Sequence, residues 1–153
     1  MITLTLPYPV SANMYWRSFV PRGHQRAIVT LSDEAKAYKQ EVGWIARKAG
    51  VRAPLVGRLA VTVELYPQRP QDWARRARRD PLTWDDDVRC IDLDNANKVL
   101  LDALKGVVIV DDKWVRELNS RRMEPDGEGR VVITVRQLVL PDAPQLDLLG
   151  VAA

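Results

Sequence analysis

The central segment of the chain, residues 67–91, is too polar and too highly charged to enter a hydrophobic core. A connection of this length inside a small domain is usually functional or disordered. It separates the apolar, periodic segments into one group before it and one group after it. These two groups must pack against each other to form a core. Because the chain has 153 residues, the two groups predict one domain with a real core and leave little room for a second.

Two strands and one helix are predicted before the central segment. Apolar and polar residues alternate over residues 2–6 and 59–65, which is the period of a half-buried strand. Residues 32–50 have apolar positions at helical spacing, and Ser32 is a suitable N-cap for that helix. Residues 7–31, between the first strand and the helix, predict a long loop.

A helix and a hairpin are predicted after the central segment. Asp94 is a suitable cap for a helix that runs to about Lys105, and Gly106 can end it. Residues 114–123 and 130–138 read as two strands joined by turn residues, so a hairpin is expected. The order of elements predicts an α+β fold in which a small mixed β-sheet of about four strands carries two helices.

The residue inventory excludes several classes of protein. No stretch approaches the roughly 18 uninterrupted apolar residues of a membrane span, and the first residues lack the features of a signal peptide. We therefore expect a water-soluble, cytoplasmic protein with no membrane partner. One cysteine and one histidine cannot form a disulfide or a zinc site of thiolates and imidazoles, so any metal chemistry must use oxygen ligands.

A basic block runs directly into an acidic one near the middle of the chain. The net charge is only +3, but residues 69–79 hold five arginines against one aspartate, and residues 80–94 hold six aspartates against one arginine. Such arginines suit phosphate contacts that do not read bases. The candidates are Arg69, Arg75, Arg76, Arg78 and Arg79. The alternative is a solvated charged loop whose arginines pair with the neighbouring aspartates.

The early loop, residues 7–31, mixes aromatic side chains with polar and cationic ones. Asn13 and Arg17 are its candidate DNA contacts, and Tyr15 and Trp16 could stack on unpaired bases. A surface loop with some buried aromatic residues is the alternative, and this segment taken alone favours it.

Three acidic positions predict a site for a hard cation. Asp92 and Asp94 are two residues apart, so in an extended approach to the helix both face the same way. A chain that reverses after Gly106 can bring Asp111 and Asp112 back beside the start of the helix. Carboxylates that converge without partners repel one another. Mg²⁺, which prefers oxygen ligands and keeps several waters, relieves this repulsion.

Lys98 lies four residues after Asp94 and four residues before Asp102. A ladder of exposed ion pairs is one interpretation, worth only about 0.2–0.5 kcal/mol per pair. The functional interpretation puts Lys98 next to a bound phosphate, where its charge stabilises a developing oxyanion. The spacing alone slightly favours the ladder.

Two blocks of the sequence resemble the RusA family of Holliday junction resolvases. The first, CIDLDNANKVLLDALKGVVIVDDKWVREL, contains an Asp-Leu-Asp-Asn box followed by a lysine, an Asp-Ala-Leu helix and an Asp-Asp pair. The second, PYPVSANMYWR, is similar to the opening of that family. The resemblance extends over nearly all of residues 2–138. Val10 departs from it where a second proline is common, and Cys90 and Ile91 depart where arginines often precede the box.

The resemblance implies a homodimeric RusA-like fold and a Mg²⁺-dependent endodeoxyribonuclease. Such an enzyme resolves four-way DNA junctions by paired symmetric nicks in DNA recombination and repair, and is expected at the nucleoid. Position by position, the resemblance implies that Asp92, Asp94 and Asp112 bind the metal and act in catalysis. It makes Lys98 the catalytic or phosphate-contacting cation. The alternatives are a nuclease of the same fold that prefers flaps or forks, and a non-catalytic module that binds junctions.

The domain is predicted to cover residues 1–138, and residues 139–153 are expected to form a flexible tail because they carry two prolines and no periodic pattern. Part of the tail is similar to the short peptide that bacterial replication proteins insert into the sliding clamp. The matching residues are Gln145, Leu146, Leu148 and Leu149. The alternative is an amphipathic end that packs on its own dimer, and both interpretations stay open.

Overall fold

The computed structural model describes residues 1–140. Its helices are α1 (Ala12–Tyr15), α2 (Asp33–Lys48), α3 (Trp73–Arg79) and α4 (Leu93–Leu104). Its strands are β1 (Ile2–Pro7), β2 (Trp16–Phe19), β3 (Ile28–Leu31), β4 (Leu59–Tyr66), β5 (Val115–Arg122) and β6 (Arg130–Gln137), and a 3-10 turn (Asp112–Trp114) precedes β5. None of the helices within residues 1–140 combines the length and the apolar character of a membrane span.

Four strands form the main sheet in the order β1-β6-β4-β5, and β2 and β3 form a separate antiparallel pair. β6 runs antiparallel to both of its neighbours, with Val135 opposite Ile2 on one side and opposite Val61 on the other. β4 and β5 run parallel, and α4 lies in the connection between them. The predicted α+β fold with a small mixed sheet of four strands is confirmed.

The strands predicted after α4 are correct in position but wrong in their pairing. β5 and β6 do not form a hairpin, because β4 lies between them and pairs with both. β4 has the most buried residues of the strands in the main sheet, and its place between β6 and β5 pairs both of its edges while Leu59, Val61, Val63 and Leu65 are buried on one face. The turn residues between β5 and β6 instead cross the end of β4, where Arg69 N donates to Gly127 O at 2.9 Å.

Both segments predicted as loops contain short regular elements. Residues 7–31 include α1 and the β2–β3 hairpin, and residues 67–91 include α3. The sequence signal for α3 is weak, because its first turn has no acidic residue and Asp72 at the N-cap position makes no capping hydrogen bond. In α4, Asp92 occupies the N-cap position, and not Asp94 as predicted.

The two long helices supply the other side of the core. α2 begins as predicted, because Ser32 Oγ accepts a hydrogen bond from Ala35 N at 3.1 Å. α2 contacts β1 and α4, and α4 contacts β5 and α1. The buried residues of α4 are Ala96, Val99, Leu100, Ala103 and Leu104. They join the buried residues of β1, β4 and β6 in one hydrophobic cluster.

A tight reversal follows α4 and leads the chain towards β5. Gly106 has a φ of +76°, and its N–H donates to Ile109 O at 2.7 Å. Val108 and Ile109 are fully buried, so the reversal is anchored in the core. It delivers Asp111 and Asp112 to the position just before β5.

Replacing Gly106 by alanine should lower the free energy of unfolding by about 1–2 kcal/mol, because a Cβ is unfavourable in the left-handed conformation. Urea unfolding followed by circular dichroism measures this change. Gly127→Ala is the matched control, since an added Cβ meets nothing within 4 Å at either position and only Gly106 of the two has a positive φ. Equal effects of the two substitutions would contradict the explanation.

Candidate active site

α4 presents two chemically different faces. Its apolar face is buried in the core, while Asp94, Lys98 and Asp102 follow one another at intervals of four residues and are exposed or half-buried. Residues four apart lie one turn apart on the same side of a helix. The packing of the apolar face therefore fixes the direction in which these three charged side chains point.

The charged side of α4 lines a groove of about 450 Å³, which we call the acidic groove. Asp112 enters the same groove from the turn that precedes β5. The remaining walls are Trp16, Asn97, Leu101 and Leu118. Asp94 and Asp112, which come from different elements, thus share one groove.

Lys98 contacts Asp94 in the acidic groove. Its Nζ lies 3.6 Å from Asp94 Oδ2, and the two side chains are 62% and 71% exposed. An exposed i,i+4 pair of this kind is worth only about 0.3–0.5 kcal/mol. The first half of the predicted ion-pair ladder is therefore formed, and it holds Lys98 only loosely.

Asp102 is fixed by partners outside α4. It accepts a hydrogen bond from the Tyr15 hydroxyl at 2.6 Å, and Lys39 Nζ lies 3.5 Å from the same oxygen. Burial of Tyr15, followed by its hydrogen bond to Asp102, raises the pKa of the phenol well above its usual value, so the hydroxyl remains a donor. Asp102 therefore joins α4 to α1 and α2. Sequence reasoning placed Asp102 only in the ladder with Lys98 and did not assign this role.

Asp111 and Asp112 share a lysine at the end of α4. Lys105 Nζ lies 3.0 Å from Asp111 Oδ2 and 3.6 Å from Asp112 Oδ1. A hydrogen bond from Lys113 N to Asp111 Oδ1 at 3.0 Å, followed by the contact with Lys105, lowers the pKa of Asp111 to about 2. Lys105 was not predicted as a site residue, because a lysine at the end of a helix is an ordinary partner of the helix dipole.

Asp92 faces a different cleft. It lines a cleft of about 1090 Å³, which we call the Asp92 cleft, whereas Asp94 lines the acidic groove. Asp92 is the N-cap of α4 and has an extended backbone, with φ −63° and ψ 142°, and the helix begins at Leu93. The expectation that the two carboxylates face one common site is not met, because they line different cavities.

The donor set of the acidic groove fits a hard cation bound by two carboxylates. Within residues 1–140, no three His, Cys, Asp or Glu side chains are placed so that they could hold a metal ion together. The expected convergence of Asp92, Asp94 and Asp112 is therefore not found. Mg²⁺ is usually held by one or two carboxylates together with waters and substrate phosphates. Asp94 and Asp112 fit such an ion, while the role of Asp92 in metal binding stays a prediction.

One arginine of the basic block is held firmly by aspartates. Arg76 contacts Asp72 at 2.9 Å and Asp87 at 3.0 Å, and only 28% of its side chain is exposed. The alternative in which arginines pair with neighbouring aspartates is therefore realised at this residue. Arg76 joins α3 to the acidic segment that follows it.

The other arginines of the basic block are more accessible. Arg75 and Arg79 each contact one aspartate, but their side chains are 82% and 75% exposed. The guanidinium of Arg69 lies 4.6 Å from the centre of the Trp73 ring, and Arg78 donates to a carbonyl of its own helix at 3.3 Å. Because exposed ion pairs are weak and screened by salt, a phosphate can replace the aspartate partners.

The two predicted DNA contacts of the early segment lie on different elements. Asn13 is exposed on α1, and Arg17 is exposed on β2 with its guanidinium 5.9 Å from the Phe19 ring centre. Tyr15 is buried, as the alternative interpretation of this segment expected. The Trp16 ring meets the Tyr15 ring edge-on, with 4.7 Å between the ring centres. Trp16 also lines the acidic groove. Contact of Asn13 and Arg17 with DNA stays a prediction.

The predicted clamp-binding residues lie outside the described residues; they are Gln145, Leu146, Leu148 and Leu149. The clamp contact and the domain boundary at residue 138 therefore stay predictions.

The fold and the groove define a class of protein. A small α+β sheet presents two carboxylates and a lysine in one groove, and an arginine-rich helix borders the neighbouring Asp92 cleft. Carboxylates that suit a hard cation, placed near cations that can neutralise phosphates, are what an enzyme that hydrolyses nucleic acid requires. This arrangement is typical of a nuclease.

Comparison with known proteins identifies the family. The sequence profile of Endodeoxyribonuclease RusA matches residues 7–136, so the chain belongs to this family of DNA-hydrolysing nucleases. The chain is 28% identical over 137 residues to the crossover junction endodeoxyribonuclease RusA of Escherichia coli K12 and to that of Shigella sonnei Ss046. Each match covers 89% of this chain and 94% of the relative. The family predicted from the two sequence blocks is confirmed.

Replacing Lys105 by methionine should raise the pKa of Asp111 part of the way from about 2 towards the ordinary value of 3.8. The rise is partial because the hydrogen bond from Lys113 N remains. Since the pKa is lowered in the folded state, Asp111 stabilises the fold above the unfolded value of 3.8, and this contribution is lost as the pH falls towards 2. An NMR titration of the carboxyl carbons measures the pKa.

The control for this titration is Lys36→Met, which removes the partner of Asp33 at 3.5 Å and leaves the acidic groove intact. It should not change the pKa of Asp111. An identical pKa of Asp111 in Lys105→Met and in the unaltered protein would show that the Lys105 contact does not form in solution.

Proposed function

We propose that this protein is a Mg²⁺-dependent endodeoxyribonuclease that resolves four-way DNA junctions by paired symmetric nicks in DNA recombination and repair. The observation that carries the proposal is the groove shared by Asp94, Asp112 and Lys98 in a chain of the RusA family. Relatives named crossover junction endodeoxyribonucleases support junctions as the substrate. We assign the activity to the cytoplasm, at the nucleoid.

Asp94 and Asp112 are the residues that would hold the divalent cation, and the family resemblance adds Asp92. When bound, such an ion supplies Lewis acidity to a phosphoryl oxygen and makes a water molecule more acidic. The fold of the protein holds the two carboxylates, Asp94 and Asp112, in position. Asp94 lies on a helix packed in the core, and Asp112 follows a turn anchored by the buried Ile109. Rigid elements therefore present both carboxylates, as a catalytic site requires.

Lys98 is the cation that we assign to the reacting phosphate. Its contact with Asp94 is 3.6 Å long and largely exposed, so a phosphate oxygen can replace the carboxylate at little cost. Negative charge that develops on the phosphate in the transition state is stabilised by a nearby ammonium group. Lys98 would thus neutralise Asp94 in the free protein and contact the phosphate in the complex.

We further propose that the accessible arginines and the early segment hold the DNA backbone. The residues are Asn13, Arg17, Arg69, Arg75, Arg78 and Arg79, with Arg76 contributing only if it leaves its aspartates. Contacts of this kind give an affinity that falls steeply with salt. Two nicks related by symmetry require two identical sites, which a two-fold homodimer supplies.

Replacing Asp94 or Asp112 by asparagine should lower the rate of junction nicking at least about 100-fold, because each substitution removes a charge that holds the cation. The assay uses a synthetic four-way junction and a linear duplex, with Mg²⁺ or with chelator. Junction binding in chelator should be retained, since neither carboxylate is assigned to the DNA. Asp92→Asn in the same assay tests the third ligand.

Asp33→Asn is the matched control, because Asp33 is 88% exposed on α2 and contacts Lys36 rather than the acidic groove. It should cut junctions at the normal rate. Paired nicks that persist in both groove variants would contradict the assignment of the site. Faster cutting of flaps or forks would indicate a branched-DNA nuclease, and binding without cleavage in any divalent metal would indicate a non-catalytic module.

The tail is proposed to bind the bacterial sliding clamp through Gln145, Leu146, Leu148 and Leu149. Deleting residues 141–153 should abolish binding to purified clamp in surface plasmon resonance and leave junction cleavage unchanged, since the acidic groove lies within residues 1–140. Asp147→Asn keeps the four matching residues and should keep clamp binding. A deletion that leaves clamp binding intact, or weakens the dimer instead, would support packing of the tail on its own dimer.

A further inference from the structure

The Asp92 cleft lies at the start of α4. Asp92, which lines it, comes two residues before Asp94, the first carboxylate of the acidic groove. Its volume of about 1090 Å³ slightly exceeds the range of roughly 300–1,000 Å³ that is usual for small-molecule sites. The cleft and the acidic groove are separated by one helix, about 10 Å wide with its side chains. A DNA strand with a rise of about 3.4 Å per nucleotide covers that distance in about three nucleotides.

The apolar walls of the Asp92 cleft are held in place. They include Tyr8, Val10 and Ile91, all half-buried. The Tyr8 hydroxyl donates to Cys90 Sγ at 3.5 Å and accepts from Ile91 N at 2.8 Å, which fixes the ring. An aromatic ring beside aliphatic side chains forms a surface on which a planar base can stack.

Among residues 1–140, five polar side chains of the cleft make no side-chain hydrogen bond or ion pair. Two are acidic, Asp92 and Glu128, and the other three are Ser11, Arg89 and Asn95. Asn97 differs, because its Oδ1 accepts a hydrogen bond from Ser120 Oγ at 2.8 Å. Unpaired polar groups in a cleft with apolar walls are typical of a ligand site, and an asparagine amide can read the edge of a base.

The charges of the cleft favour a neutral ligand over a phosphate in its interior. Asp87 and Glu128, neither of which is assigned to the cation, line it and would repel a phosphate. Arg76, the second cation of the lining, already contacts two aspartates. The exposed Arg89 is therefore the group able to contact a phosphate at the edge of the cleft while an uncharged base lies inside.

We propose that the Asp92 cleft is a subsite for one unpaired base of the DNA strand that is cut. The base stacks on Tyr8, hydrogen-bonds to Asn95 and Ser11, and has its phosphate next to Arg89. This inference rests on the proposed function, because it takes the strand past the start of α4 towards the acidic groove. It gives the enzyme a means of preferring one base near the cut.

Binding to four junctions that differ only in the base at the crossover tests the subsite. The affinities are measured in chelator, so that no cleavage occurs. The unaltered protein should bind the best and the worst base with affinities that differ about tenfold, as expected for one hydrogen-bonded base contact. Asn95→Ala should reduce this difference to less than about twofold. Arg89→Ala should weaken all four complexes equally and lower the salt dependence by about one phosphate contact.

Asn119→Ala is the matched control, because Asn119 is exposed on β5 and lines neither the Asp92 cleft nor the acidic groove. It should keep the base preference. Equal binding of all four junctions by the unaltered protein, or a preference that survives Asn95→Ala, would overturn the subsite. If junctions are still preferred over duplex, the nuclease proposal stands; if that preference is absent as well, both proposals fail.

A second measurement uses the unaltered protein and does not depend on how the variants fold. 2-Aminopurine placed at the crossover fluoresces more strongly when it leaves the base stack, so junction binding should raise its emission. The same probe placed within an arm of the junction should change little. Equal emission changes at the two positions would show that no base is drawn out at the crossover and would overturn the proposal.

Discussion

The site depends on the burial of one face of α4. Leu100 and Leu104 are fully buried, and truncating a buried leucine to alanine costs about 2–5 kcal/mol, so the helix has one rotational position. In that position Asp94 and Lys98 face the acidic groove. Asp92 precedes the helix as its N-cap and lines the Asp92 cleft instead. Core packing, and not mutual attraction of the charged groups, therefore determines which carboxylates meet.

The groups around the acidic groove are neutralised by partners within the protein. Asp94 has Lys98 at 3.6 Å, and Asp112 has Lys105 at the same distance. Asp102 is held by the Tyr15 hydroxyl, and Asp111 by Lys105 as well as a backbone N–H. This pairing reduces the repulsion among the carboxylates of this region. Under the proposed function, Lys98 would exchange its carboxylate partner for a phosphate when DNA binds.

Much of the fold was predictable from the sequence, because periodic segments indicate α2, α4 and β4 directly. The positions of β5 and β6 in the sheet were not predictable. The turn residues between them favour a hairpin and cannot show that β4 lies between the two strands. At the site, the candidate carboxylates were named from the sequence, but the spacing of Asp92 and Asp94 did not show that they line different cavities. Lys105 and the link from Asp102 to Tyr15 depend on tertiary contacts that no spacing in the sequence reveals.

The central claim is that Asp94 and Asp112 together hold a hard cation. Anomalous scattering from crystals soaked in Mn²⁺ tests it most directly, because the signal locates the ion itself. The account predicts a peak in the acidic groove at about 2.0–2.2 Å from a carboxylate oxygen of each aspartate, with Lys98 moved away from Asp94. An ion bound elsewhere, with both aspartates still paired to their lysines, would contradict it.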